Sequence, residues 1–100
     1  MTASLQRLRD GRWRLTGTLD FESVVDLRPR LREALTRDAD VELDLSGVTR
    51  ANSAGLALLL QWQEDARRSG ANLAVRNAPA ALADLAGLSN LRELLSLDGD

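Results

Sequence analysis

The sequence has no cysteine, no histidine and no lysine. Without cysteine there is no disulfide framework and no thiolate chemistry, and a cytoplasmic setting is the simplest expectation. Without histidine the chain lacks the usual general base, the commonest metal ligand and most nucleophilic triads. Without lysine it has neither a Schiff-base amine nor the phosphate-binding lysine of a P-loop. Neither G-x-x-x-x-G-K-[ST] nor G-x-G-x-x-G occurs. There is no run of about 18 uncharged apolar residues, so no segment is expected to span a membrane. The opening stretch MTASLQRLRDGRW has no apolar core of the kind a secretory signal needs. These absences point away from an enzyme, and no cofactor or metal is expected.

What is present suits one small domain, residues 1–100, with 44% apolar residues to build a modest core. The net charge is −2. So even a balance lacks the concentrated basic surface of a general nucleic-acid binder. Every basic residue is arginine. Arg7, Arg9, Arg12 and Arg14 cluster early, and Arg28, Arg30 and Arg32 follow. Their interleaving with leucines reads as solvated faces, with a phosphate-binding patch as the alternative. The carboxylates that end strands, Asp20 and Asp44, are assigned to turns and local hydrogen bonds.

Hydrophobic periodicity orders the elements. Asp10-Gly11 signals a two-residue hairpin turn, with a short strand from Leu5 to Arg9 before it. In RWRLTGTL, Trp13, Leu15 and Leu19 alternate with Arg12, Arg14, Thr16 and Thr18, the pattern of a half-buried strand. The period then changes. Val24, Leu27, Leu31 and Leu35 share a helical stripe, which predicts a helix from about Ser23 to Leu35 with Pro29 inside it. DVELDL is a third strand, SGVTRAN a loop, and Ser53 to Ser69 a second helix stopped by Gly70. NLAVRN is a fourth strand. Pro79 fits the first turn of a short helix through Leu85 and Ala86, and NLRELLSL is a last amphipathic turn or short edge strand. The order β-β-α-β-α-β-α predicts an α/β fold: a small mixed sheet with helices packed mainly on one face.

The junction Asn52-Ser53-Ala54-Gly55 places small and polar residues at the mouth of the most apolar helix. Asn52 or Ser53 can cap that helix, and Gly55 lets its start lie close against a neighbour. Gly55, Leu59, Trp62 and Ala66 form its core stripe, flanked by Leu56 and Leu58. Ala57 falls on the polar side with Gln61, Glu64 and Arg68, and Leu60 at the border. The first two turns are therefore apolar nearly all round. Such surface is covered either by the neighbouring helix or by another protein.

A strand ending LDLSGV, a loop, and then N-S-A-G-L-A opening an apolar helix together resemble the STAS domain. The likeness extends through GTLDF, VELDLSGVTRANSAGLALLLQW and GANLAVRNAPAALADLAGLSNLRELL, nearly the whole chain. Two branches of the family are relevant. Anti-sigma-factor antagonists read Asp-Ser-[Ser/Thr]-Gly-Leu-Gly, and a partner kinase phosphorylates the serine. Here Asn52, Ala54 and Ala57 depart from that pattern, while Ser53 keeps the phosphoacceptor column. The small STAS subunit of Mla-type phospholipid-transport ABC systems is the closer likeness. It resembles Ser53-Ala54-Gly55-Leu56-Ala57-Leu58-Leu59-Leu60-Gln61-Trp62, followed by Ala66, Gly70, Leu73, Asn77, Pro79 and Leu94-Leu95.

The resemblance implies a non-enzymatic cytoplasmic subunit held at the inner membrane through its partner. It would bind and stabilise the ATPase of a lipid transporter that maintains outer-membrane asymmetry, touching neither lipid nor nucleotide. The expected contact residues are Asn52, Ser53, Ala54, Ala57 and Leu60. The alternative is an antagonist switched by phosphorylation of Ser53.

Overall fold

Gly11 turns the chain with φ +73°, a conformation that costs glycine little. The turn joins β1 (Ser4–Arg9) to β2 (Arg12–Leu19) as an antiparallel hairpin. The chain continues through α1 (Phe21–Arg37), β3 (Asp40–Ala51), α2 (Ser53–Ser69), β4 (Asn72–Arg76) and α3 (Ala80–Leu88). The structure, a computed structural model, describes residues 3–88, with Ala86 and Leu88 as backbone only. The amphipathic turn expected at NLRELLSL lies outside the described residues. The four strands form one sheet in the order β1-β2-β3-β4, with β2–β3 and β3–β4 parallel.

The alternation read from β2 and β3 is realised. Leu15, Leu19, Val41, Leu43 and Leu45 are buried on one face. Leu27, Leu31 and Leu35 of α1, Leu59, Trp62 and Ala66 of α2, and Leu82 of α3 join them in a single core cluster. The other face of the sheet is ionic. Arg12 and Arg76 both reach Glu42, at 3.6 and 3.5 Å, and Arg14 reaches Asp44 at 3.3 Å. Much of the early arginine cluster is therefore neutralised on the sheet.

Several boundaries differ from the sequence reading, those of β3 and α1 most; α3 starts after Pro79 and runs to Leu88. The stretch SGVTRA is strand rather than loop, because β2 is long enough to keep pairing with it, from Thr16↔Gly47 to Leu19↔Ala51. The register shifts twice along that pairing, so the buried residues Leu45 and Val48 are three apart instead of two. Such irregularities break period two and hide the strand from a search for alternation. Gly47 marks one of them: a Cβ there would overlap the Thr16 methyl group. Helix α1 starts two residues earlier and ends two later than the pattern suggested. Asp20 caps it by accepting from Glu22 N (3.1 Å) and Ser23 N (3.0 Å), and Ser23 Oγ accepts in return from Asp20 N. Pro29 is accommodated at the exposed side of α1, at the cost of the donor to the Val25 carbonyl.

Asp44 fastens the outer face. Burial alone would raise its carboxyl, but bonds from Asn77 Nδ2 (3.0 Å), Ser46 N (2.9 Å), Ser46 Oγ and Arg14 hold it down at about 2. Asn77 takes a left-handed conformation, φ +57°, to make that bond.

Leu59 is fully buried, so Leu59→Ala should cost about 2–5 kcal/mol in chemical denaturation; a loss under about 0.5 kcal/mol would remove it from the core. Asp44 stays ionised in the fold down to about pH 2, whereas an unfolded chain protonates it near pH 4. Its stabilisation is complete above about pH 4 and fades as pH falls toward 2. Urea unfolding of Asp44→Asn should therefore show lower stability at neutral pH and a flatter acid limb than the parent.

Candidate protein-docking site

Leu19 and Ala51 are partners at the C-terminal ends of adjacent parallel strands, and Asn52 N–H donates to the Leu19 carbonyl at 3.2 Å. Each strand is followed by one capping residue and a helix, so α1 and α2 start side by side. Asn52 caps α2. Its backbone is extended (φ −123°, ψ −166°), and its Oδ1 accepts from Ala54 N at 2.8 Å. Of the two candidates for that cap, Asn52 takes it because a cap must stand outside helical geometry to aim its oxygen back at the first turn. Ser53 is already helical. Its side chain is exposed and makes no hydrogen bond among the described residues.

Gly55 fixes how close α2 comes to the sheet. A Cβ there would lie 3.0 Å from Leu19 Cβ and 3.2 Å from Leu19 Cδ1. An added methyl would push Leu19 back by a few tenths of an ångström, so glycine helps set the height of Ser53 above the sheet edge.

Between α1 and α2 lies an open groove of about 510 Å³. Ala54, Ala57, Leu58 and Gln61 line it from α2. Phe21, Val24, Val25 and Pro29 line it from α1, with Arg28 and Arg32 beyond them. Phe21 is 70% exposed and Val25 71%, the two most exposed large apolar side chains described. Ala54 and Ala57 are the small side chains of the α2 wall, beside Leu58 and Gln61, and face larger apolar ones on the α1 wall.

The five residues singled out from the sequence do not all meet here. Ala54, almost fully buried, and Ala57, exposed, line the groove. Ser53 immediately precedes Ala54, and Asn52 borders a neighbouring depression with Asp20 and Arg50. Leu60 is elsewhere: half-buried and packed against the core, it falls on the side of α2 that carries Gln63, whose Nε2 donates to the Leu73 carbonyl of β4. Sequence reasoning missed Phe21 and Val25. A signal was available, since Phe21, Val25, Pro29 and Arg32 recur at helical spacing as a second stripe beside the core stripe.

Two contacts tie the groove walls. Trp62 Nε1 donates to the Arg28 carbonyl at 3.0 Å, and Arg28 Nη2 reaches the buried Asp65 carboxylate at 3.3 Å. In the neighbouring depression, the backbone N–H of Ser23, with that of Glu22, holds the Asp20 carboxyl below its ordinary value. No group of three or more His, Cys, Asp or Glu among the described residues is placed to hold a metal.

The sequence matches the family model described as "Mlab, STAS domain" over residues 5–96. Among solved structures it resembles a putative anti-sigma factor antagonist from Thermotoga maritima, at 18% identity and TM-score 0.75, over 91% of this chain and 81% of that one. It also resembles the anti-sigma factor antagonist SpoIIAA in its unphosphorylated form, at 16% identity and TM-score 0.69, over 89% and 81%. The murine anion transporter Slc26a9 contains a similar region, at 18% identity and TM-score 0.63, over 87% of this chain and 15% of the transporter. At these identities the likeness is one of fold. Comparison with curated protein sequences finds no significant match.

The separation of cap from neighbour is testable. Asn52→Ala should lower stability by about 0.5–2 kcal/mol, while Ser53→Ala should leave the thermal melt close to that of the parent. Equal losses from both would mean that the Ser53 hydroxyl shares the capping.

Proposed function

The chain belongs to the MlaB-type STAS domain family, and from that premise we propose that it is a non-catalytic subunit of a phospholipid-transporting ABC complex. It binds the cytoplasmic ATPase of that complex, stabilises and regulates it, and so helps maintain outer-membrane lipid asymmetry. ATP hydrolysis and lipid passage belong to the partners. No helix among the described residues is long and apolar enough to cross a membrane, and the chain reaches the inner membrane through the ATPase. The observation that carries this reading is the open apolar groove beside the Ser53 hydroxyl, which is unengaged among the described residues.

The groove suits docking for physical reasons. Phe21 and Val25 hold apolar surface in water that a partner would remove from it, at about 25 cal/mol per Å². Ser53 stands in the first turn of α2 with its hydroxyl unengaged among the described residues, so it can bond a partner without breaking a bond of its own. A subunit that binds only the folded, assembled ATPase stabilises it by mass action. Asn52, Ser53, Ala54 and Ala57 are the proposed contacts on α2. Leu60, half-buried against the core on the Gln63 side of α2, would join only a partner that wraps past the helix.

The antagonist reading draws on the same hydroxyl. A phosphate on Ser53 would stand at the positive end of the α2 dipole, which favours an anion, although the Ala54 and Gly55 N–H groups there already donate to Asn52.

The two readings separate in one experiment. Co-expression with the untagged ATPase from the same genome should recover both proteins through a tag on this chain. Val25→Glu and Ser53→Asp should keep the parent's circular dichroism and melting temperature, because both side chains are exposed. Both should reduce ATPase recovery about tenfold or more, while Ser53→Thr retains it. Recovery of a serine kinase in place of the ATPase, with a phosphorylated Ser53 peptide, would establish the antagonist instead.

A further inference from the structure

We infer that the occupant of the α1–α2 groove is an amphipathic helix of the partner that carries a carboxylate for Arg32, an inference that rests on the docking reading above.

Charge selects the sign of the occupant. In a chain of net charge −2, the groove's ionisable lining residues are two arginines, Arg28 and Arg32, with no carboxylate among them. Arg28 is partly committed, through Nη2, to Asp65. Arg32, one helical turn further along α1, is exposed and has no ion-pair partner among the described residues. An occupant of opposite sign is therefore favoured at that end, and a cationic one is opposed.

Shape narrows the occupant to a helix. Phe21, Val25 and Pro29 succeed one another at a spacing of four along α1, and Ala54 and Ala57 leave room opposite them. A trough between two helices, with small residues on one wall, receives apolar side chains spaced i, i+4 and i+7 on a third helix. A second copy of this chain fits less well, since pairing groove to groove adds the same two arginines and brings no carboxylate from the lining.

The test has two arms on the full chain. In the first, the purified ATPase is titrated against parent, Val25→Glu and Arg32→Glu at two salt concentrations. Arg32→Glu should weaken binding about tenfold at low salt and less at high salt, whereas Val25→Glu weakens it at both. In the second, a stapled peptide of about four helical turns carries leucines at i, i+4 and i+7 and glutamates beside them. A matched peptide replaces each glutamate by lysine. The glutamate peptide should shift the amide resonances of Val24, Val25, Ala54 and Ala57 saturably and bind about tenfold tighter than the lysine peptide. Arg32→Glu should reverse that order.

Equal binding of the two peptides, no binding of either, or shifts confined to other surfaces would overturn the inference. So would a dimer in light scattering that Val25→Glu abolishes, because the occupant would then be a second copy. If the ATPase does not bind the parent and the peptides behave as expected, the transporter reading falls and the groove chemistry stands. If the ATPase binds and neither Val25→Glu nor Arg32→Glu weakens it, the transporter reading stands and the groove is not its dock.

Discussion

The bond from Asn52 N–H to the Leu19 carbonyl closes the parallel pairing of β2 and β3 at its last residues. The placement of both long helices depends on that closure. The two strands end level with one another, so their caps, Asp20 and Asn52, launch α1 and α2 as neighbours. Had β3 stopped at Leu45, where its alternation fails, α2 would have no fixed start relative to α1. The shifts in register near Thr16 and Thr18 absorb the extra residues of β3 without letting go of β2.

The sheet divides its chemistry between its faces. One face is aliphatic and takes the helices; the other is a lattice of guanidinium and carboxylate groups. Exposed ion pairs contribute little singly. Their more secure role here lies in alignment: Glu42 of β3 is shared by Arg12 of β2 and Arg76 of β4, so one side chain spans three strands. Asp44 does the same between Arg14 and Asn77. The planar, many-donor guanidinium suits such bridging better than an ammonium group would.

Much of this was legible in the sequence, for identifiable reasons. The Asp10-Gly11 turn, the alternation in β2, the span of α2 and its glycine stop each obey a local rule that nothing else in the fold opposes. The residues Leu59, Trp62 and Ala66 were readable as core because one face of α2 is uninterrupted. The end of β3 was not readable, since strand pairing with β2 decided it and local alternation did not. The cap was ambiguous between Asn52 and Ser53, as both residue types suit the position and only backbone geometry distinguishes them. The groove was half visible. Ala54 and Ala57 were singled out from α2, but its opposite wall belongs to a helix whose evident stripe faces the core. Phe21 and Val25 stayed hidden, because a sequence pattern shows which face a helix buries and not what stands beside its other faces. Leu60 stood at the border of two faces, and packing against the core resolved it.

The bond between Trp62 and the Arg28 carbonyl has a consequence for the entropy of association. It joins the two groove walls with an indole that is itself fully buried, and the Arg28–Asp65 pair joins them again nearby. Widening the groove would expose the indole and leave a buried carboxylate without its cation, both costly. The walls are therefore held at one separation before anything enters. A visitor need not pay to order them, and neither can it reshape them. Selection then falls to steric fit against Ala54 and Ala57, where a single added methylene on either side of the contact would be felt.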